Sequence, residues 1–120
     1  MAISDWWGGS HKLKEHEIKI DAARNNLDEK SELLKLQMEK AYKELTESYQ
    51  QISVAESLAS QAREHLQVVT DNYEAGILST SDLLEAQAIF QESQNGLVDA
   101  KSTYQIRQVY YKQAVAQQLY

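Results

Sequence analysis

Two groups of residues in this chain carry reactive or charged side chains at close spacing. One is the set of histidines, His11, His16 and His65; the other is the stretch NYEAGILSTSDLLEAQ, residues 72 to 87, where Tyr73, Ser79, Asp82 and Glu85 gather around Gly76. The histidines raise metal binding or proton transfer, but their spacing is against it. His11 and His16 stand five apart, whereas a helix places residues four apart on one face. His65 has only Glu64 and Asp71 as nearby carboxylates, and the sequence offers no cysteine to complete a thiolate site. It also lacks a Gly-rich phosphate loop, a nucleophile elbow and a His-Glu-x-x-His pair. The sequence therefore predicts no enzyme, no metal site and no cofactor, and the histidines read as surface residues.

The second group reads as a turn with an acidic edge. Gly76 falls where a helix should end in a left-handed residue, a conformation open to glycine and costly for other residues. Ser79 has Asp82 three places on, a capping-box-like pair in which Asp replaces the usual Glu or Gln. Asp82 and Glu85 then fall in the first turns of the next helix, where its dipole favours acids. Locally, AGILSTSD predicts the turn of a helical hairpin.

The elements that must position this turn are two long helices. From about Ser10 to Tyr73 no proline or glycine intervenes. Met38, Ala41, Leu45, Tyr49, Ile52, Ala55, Ala59, Ala62, Leu66, Val69 and Tyr73 advance by threes and fours, the coiled-coil period. Beyond the turn, Leu83, Phe90, Leu97, Tyr104 and Tyr111 recur every seven residues. Ala86, Ser93, Ala100 and Ala114 hold the companion seam position, with Arg107 the exception. Large residues on one line and small ones on the other favour a close antiparallel pair. The expected fold is all-α: a long antiparallel coiled-coil hairpin with a helix over about 10–74, a turn at 75–80 and a helix over about 80–118.

The arms are unequal, roughly 95 Å against roughly 60 Å at 1.5 Å per residue. The second therefore covers only about residues 35–74 of the first, leaving Leu13, Ile18, Ile20, Leu27, Leu33 and Leu34 without a partner. A break at RNNLDEK, with Asn26 and Glu29 as a cap pair, would give three helices. One continuous helix is the preferred reading, because no glycine or proline punctuates Asn25–Asn26 and the step from Leu27 to Leu34 continues the heptad. On either reading the isolated segment is short of core and should self-associate.

Composition narrows the function classes further. The 120 residues carry a net charge of −6, and the basic residues are interleaved with acids, as in HKLKEHEIKID. Such a chain lacks the clustered cations that phosphate backbones require, so no nucleic acid is expected as a partner. MAISDWWGGS has no apolar core of a signal peptide, and no stretch approaches eighteen apolar residues. The chain is thus expected to be either cytosolic or an internal piece of a longer exported protein. Trp6 and Trp7 read equally as a membrane-interface anchor or as cover for the start of the helix.

The run YEAGILSTSDLLEAQAIFQESQNGLVDAKSTYQIRQVYYKQAV resembles the second-repeat hairpin of the outer-membrane efflux proteins, the TolC family of trimeric channel-tunnels. The pattern is a tyrosine, a glycine, a short turn, an acid, two apolar residues, an acid and an alanine, then a Gln- and Ala-rich returning helix. Tyr73, Gly76, Asp82, Leu83, Leu84, Glu85 and Ala86 occupy those places, with Tyr104 and Tyr110 or Tyr111 near the end. ISDWWGGSHKLKEHEIKIDAA is similar to the family's junction between a membrane β-strand and the long helix. Residues 1–9 are accordingly expected as a strand-to-helix junction and 10–120 as the hairpin domain.

The resemblance implies a periplasmic wall segment of a homotrimeric channel in the cell outer membrane. Its hairpin tip, Ala75, Gly76, Ile77, Leu78 and Ser79, would dock a membrane fusion protein, the periplasmic adaptor, for export of small molecules. It implies that Tyr73 helps hold the entrance shut and that Asp82 and Glu85 line a cation-attracting constriction. Leu78 stands where some members place an arginine that locks the entrance, so an apolar contact is expected instead. The alternative is a free self-associating coiled-coil interaction protein with no transport role. An adaptor's own hairpin is a further variant, but β-rich lipoyl-like flanks would mark it and neither end carries them. A free coiled coil gives no reason for Ile3 to Trp7, which reads as the tail of a strand.

Overall fold

The computed structural model describes residues 2–119, with side chains described from residue 12. Two helices make up the fold: α1, Ala2–Glu74, and α2, Thr80–Leu119, folded back on each other as an antiparallel hairpin. Ala, Leu, Gln, Glu and Lys dominate both, and no proline interrupts either, so the local preference is helical throughout. α1 runs through Asn25 and Asn26 without a break, which decides for one long helix over three. Its 73 residues should span about 110 Å at helical rise. The longest dimension of the molecule is 111 Å.

Residues 2–9 differ from expectation. They are helical, whereas Ile3 to Trp7 read as the tail of a strand. A lone strand has no ladder to satisfy its backbone, whereas a helix satisfies each group within the same segment. The side chains of Trp6, Trp7 and His11 lie outside the described residues.

The seam follows the heptad closely. On α1 the covered positions are Leu34, Met38, Ala41, Leu45, Ser48, Ile52, Ala55, Ala59, Ala62, Leu66 and Val69, in strict steps of four and three. This corrects two expected seam residues: Tyr73, at the end of the line, is 37% exposed, and Tyr49 gives way to its neighbour. Ser48 is 6% exposed where Tyr49 was placed, and Tyr49 is 64% exposed. A seven-residue repeat after Leu45 and Ile52 demands position 48, and Ser48 fits because its hydroxyl donates back to the Leu45 carbonyl at 2.8 Å. The Tyr49 ring instead reaches round the edge of the seam and packs, tilted, on Tyr104 at 5.5 Å. Tyr42 and Tyr111 form a second such pair at 5.9 Å.

On α2 both expected lines are covered, the large one from Leu83 to Tyr111 and the small one from Ala86 to Ala114. Arg107, the charged residue on the small line, donates from Nη1 to Glu44 Oε2 of α1 at 3.0 Å. Its cation at the seam is thus paired across the helices. Both groups keep partial access to water, so the pair contributes no more than about 1 kcal/mol.

The core is thin. Ala41, Ala59, Ala62, Val69 and Ala86 are its buried apolar members, and among the described residues no large side chain is fully buried. Every described residue from 12 to 33 is exposed, including Leu13, Ile18, Ile20, Leu27 and Leu33.

Candidate functional site: the hairpin tip and its trough

Glu74 ends α1 because the backbone turns left-handed at Gly76, φ +79°. The Gly76 N–H donates to the Tyr73 carbonyl at 3.0 Å and the Ile77 N–H to the Asn72 carbonyl at 2.9 Å. These two bonds make a Schellman cap, which satisfies carbonyls that the end of a helix otherwise leaves open. Such a cap usually packs the residue after the glycine against the helix. Ile77 is instead 72% exposed, so its side chain stands out at the end of the hairpin.

Ser79 starts α2 with a reciprocal cap. The Asp82 N–H donates to Ser79 Oγ at 3.2 Å, while the Ser79 N–H and hydroxyl donate to Asp82 Oδ2 at 3.0 and 2.8 Å. The Ser79 hydroxyl, and then its N–H, hold the Asp82 carboxyl below the ordinary carboxylate value of 3.8. Asp82 is therefore an acid already engaged. Glu85, one turn on, is exposed and is in no ion pair among the described residues.

The turn gathers all the residues the sequence singled out. Tyr73 is at the margin of exposure on the last turn of α1, Ala75 to Ser79 form the connection, and Asp82 and Glu85 open α2. Leu78 differs from Ile77 in turning inward. It lines a depression of about 260 Å³ together with His65, Val69, Asp82, Glu85, Ala86 and Ile89.

That depression is the tip end of a longer feature. Where the small lines of the two helices meet, they leave a trough along one face, continuing past Ile89 and Gln51 to Glu44 and Arg107. Its middle section holds about 400 Å³, is floored by Ala55, Ala62, Ser93 and Ala100, and is walled by Val54, Leu58 and Ile89. Gly96 opens onto it: a Cβ built there would meet nothing within 4 Å. The expectations from sequence missed this trough. An interior glycine at 96, in a helix otherwise free of glycine, is the signal that marks it.

For catalysis the arrangement offers little. His16 and His65 are exposed, and among the described residues no three His, Cys, Asp or Glu side chains group as metal ligands would. Among the described residues no helix is long and apolar enough to cross a membrane.

The chain matches the outer membrane efflux protein family over residues 2–117, nearly its full length. No curated protein and no solved structure matches it. The matched region takes in both arms and the turn, which makes this hairpin a component of an outer-membrane efflux channel. The chain belongs to the outer membrane efflux protein family.

Proposed function

We propose that the hairpin is a periplasmic wall segment of a homotrimeric efflux channel, with residues 10–120 as its helical domain. Its turn, Ala75 to Ser79, is the docking tip for a membrane fusion protein, and the channel exports small molecules. The observation that carries this reading is the tip itself. Two capped helix ends hold the connection rigid, and Ile77 projects from it with 72% of its surface free. An exposed apolar anchor on a preorganised backbone is what a docking contact needs.

Asp82 and Glu85 together supply the charge of a constriction ring in this reading, and the Ser79 hydrogen bonds keep the Asp82 carboxylate ionised. Three copies of the pair would draw cations to the entrance. Tyr73, on the last turn of α1 and at the margin of exposure, is placed to meet a neighbouring hairpin as part of the gate.

The test is Gly76→Val in the full-length channel. A β-branched residue at φ +79° strains the turn without touching either arm. Efflux should fall while helix content and outer-membrane level hold. Wild-type efflux from a normally assembled variant would remove the tip from the docking contact.

Self-association of the isolated segment is a second reading favoured by a separate observation. Leu13, Ile20 and Leu27 stand exposed at heptad spacing with no partner in the hairpin.

A further inference from the structure

The middle section of the trough has the size and the lining of a small-molecule site. Its volume of about 400 Å³ falls in the range of ligand pockets, which are mostly apolar with a few polar groups that set orientation. Val54, Leu58 and Ile89 wall it, each large, apolar and substantially exposed to water. Gly96 keeps it open. A Cβ there would meet nothing, so the packing of α1 on α2 does not require this glycine, although it weakens the interior of α2. The polar groups along the section are few. The Ser93 hydroxyl is spent on the Phe90 carbonyl at 2.6 Å, and Gln51 is uncharged. Among the described residues Glu92 is the one charged side chain lining the section, and it is in no ion pair. Arg107, farther along the trough, is already bound to Glu44.

We propose that this section binds a small amphiphilic amine, its apolar body between Val54, Leu58 and Ile89 over the opening at Gly96, and its ammonium group against the Glu92 carboxylate. The charge pattern selects this class. Any apolar body gains by covering the walls. An anionic end would be repelled by Glu92, whereas a cationic end meets an acid that has no other partner. Glu92 stands in water, so the preference between ends is several-fold and not of many orders of magnitude. The inference stands on the trough alone and is independent of the docking tip at residues 75–79.

The test uses probes that share a body of two rings and differ at one end: diphenylpropylamine, diphenylpropanol and diphenylpropanoate. Each is titrated into the isotopically labelled 120-residue chain and followed by amide chemical shifts. The amine should bind with a dissociation constant on the order of 0.1–1 mM, as a ligand of that size allows. It should bind about threefold more tightly than the alcohol and about tenfold more tightly than the carboxylate. The shifts should centre on residues 54–58 and 89–96. Glu92→Gln should bring the amine and the carboxylate to within about twofold of each other, while the alcohol binds as before. Gly96→Leu, which fills the opening, should abolish binding of every probe while helix content stays level or rises. The proposal is overturned if the amine does not bind, if the probes bind the parent equally, or if Gly96→Leu binds as the parent does. It is also overturned if the shifts centre on the exposed line from Leu13 to Leu27. Sedimentation finding that Gly96→Leu splits a dimer of the chain would overturn it too, by giving the trough to a second copy.

Discussion

Residues 34–74 and residues 12–33 of α1 lie on one unbroken helix and share one heptad, but they meet different surroundings. Leu13, Ile20 and Leu27 fall on the same seven-residue line as Leu34, Ala41, Ser48, Ala55 and Ala62. In the upper stretch that line is covered by α2; in the lower it faces water. The repeat thus specifies which side of a helix can be covered, while the reach of α2 decides where it is. Residue size differs along the same line. Ala41, Ser48, Ala55 and Ala62 allow a close approach, near the short end of the 8–10 Å range of helix separations, whereas Leu13, Ile20 and Leu27 suit a wider one. The two stretches are built for different neighbours.

Overfilling the paired stretch should have the largest effect. Ala86 is 1% exposed at the seam, and Ala86→Leu is expected to lower unfolding stability by about 1–3 kcal/mol in a denaturant titration. The same enlargement at Ala23, on the uncovered stretch, should change stability by less than about 0.5 kcal/mol. Equal effects at the two sites would erase the contrast.

The cap of α2 comes next. Ser79→Ala should cost about 1 kcal/mol through loss of the reciprocal cap. The pH dependence has a definite sign. Because the folded Asp82 carboxyl is held below its ordinary value, its contribution is present above pH 3.8 and is lost as pH falls through the lower folded value. Amide exchange at the start of α2 should therefore quicken at the acid end in the parent, and this acid response should be weaker in Ser79→Ala.

Leu27→Ser should produce the smallest change in the hairpin, under about 0.5 kcal/mol. Sedimentation of the 120-residue chain is nevertheless expected to shift toward monomer, since this exposed leucine belongs to the unpartnered line. An unchanged distribution would remove the lower stretch from self-association.

Much of this fold was legible because a coiled-coil seam is written in residue type at fixed spacing. The α2 lines, the left-handed Gly76 and the Ser79–Asp82 cap all follow from local rules. Tyr49 was misplaced because an aromatic side chain attracts assignment to a seam, yet the strict repeat put Ser48 there and left the tyrosine ring on the rim against Tyr104. The seam cation Arg107 found its explanation only in space, since Glu44 lies 63 positions away in sequence. The trough was illegible for the same reason: each small line looks like close packing until the two are seen side by side, with Gly96 opening between them.

The docking role proposed for the tip is open to cysteine crosslinking in the full-length channel. Ile77→Cys and Ile20→Cys each place one thiol at an exposed apolar position, one on the tip and one on the uncovered stretch of α1. With a bifunctional reagent in cells that carry the partner pump, the adaptor should be captured from position 77 and not from position 20. Capture from position 20, or none from position 77 in an assembled channel, would take the docking contact away from the tip.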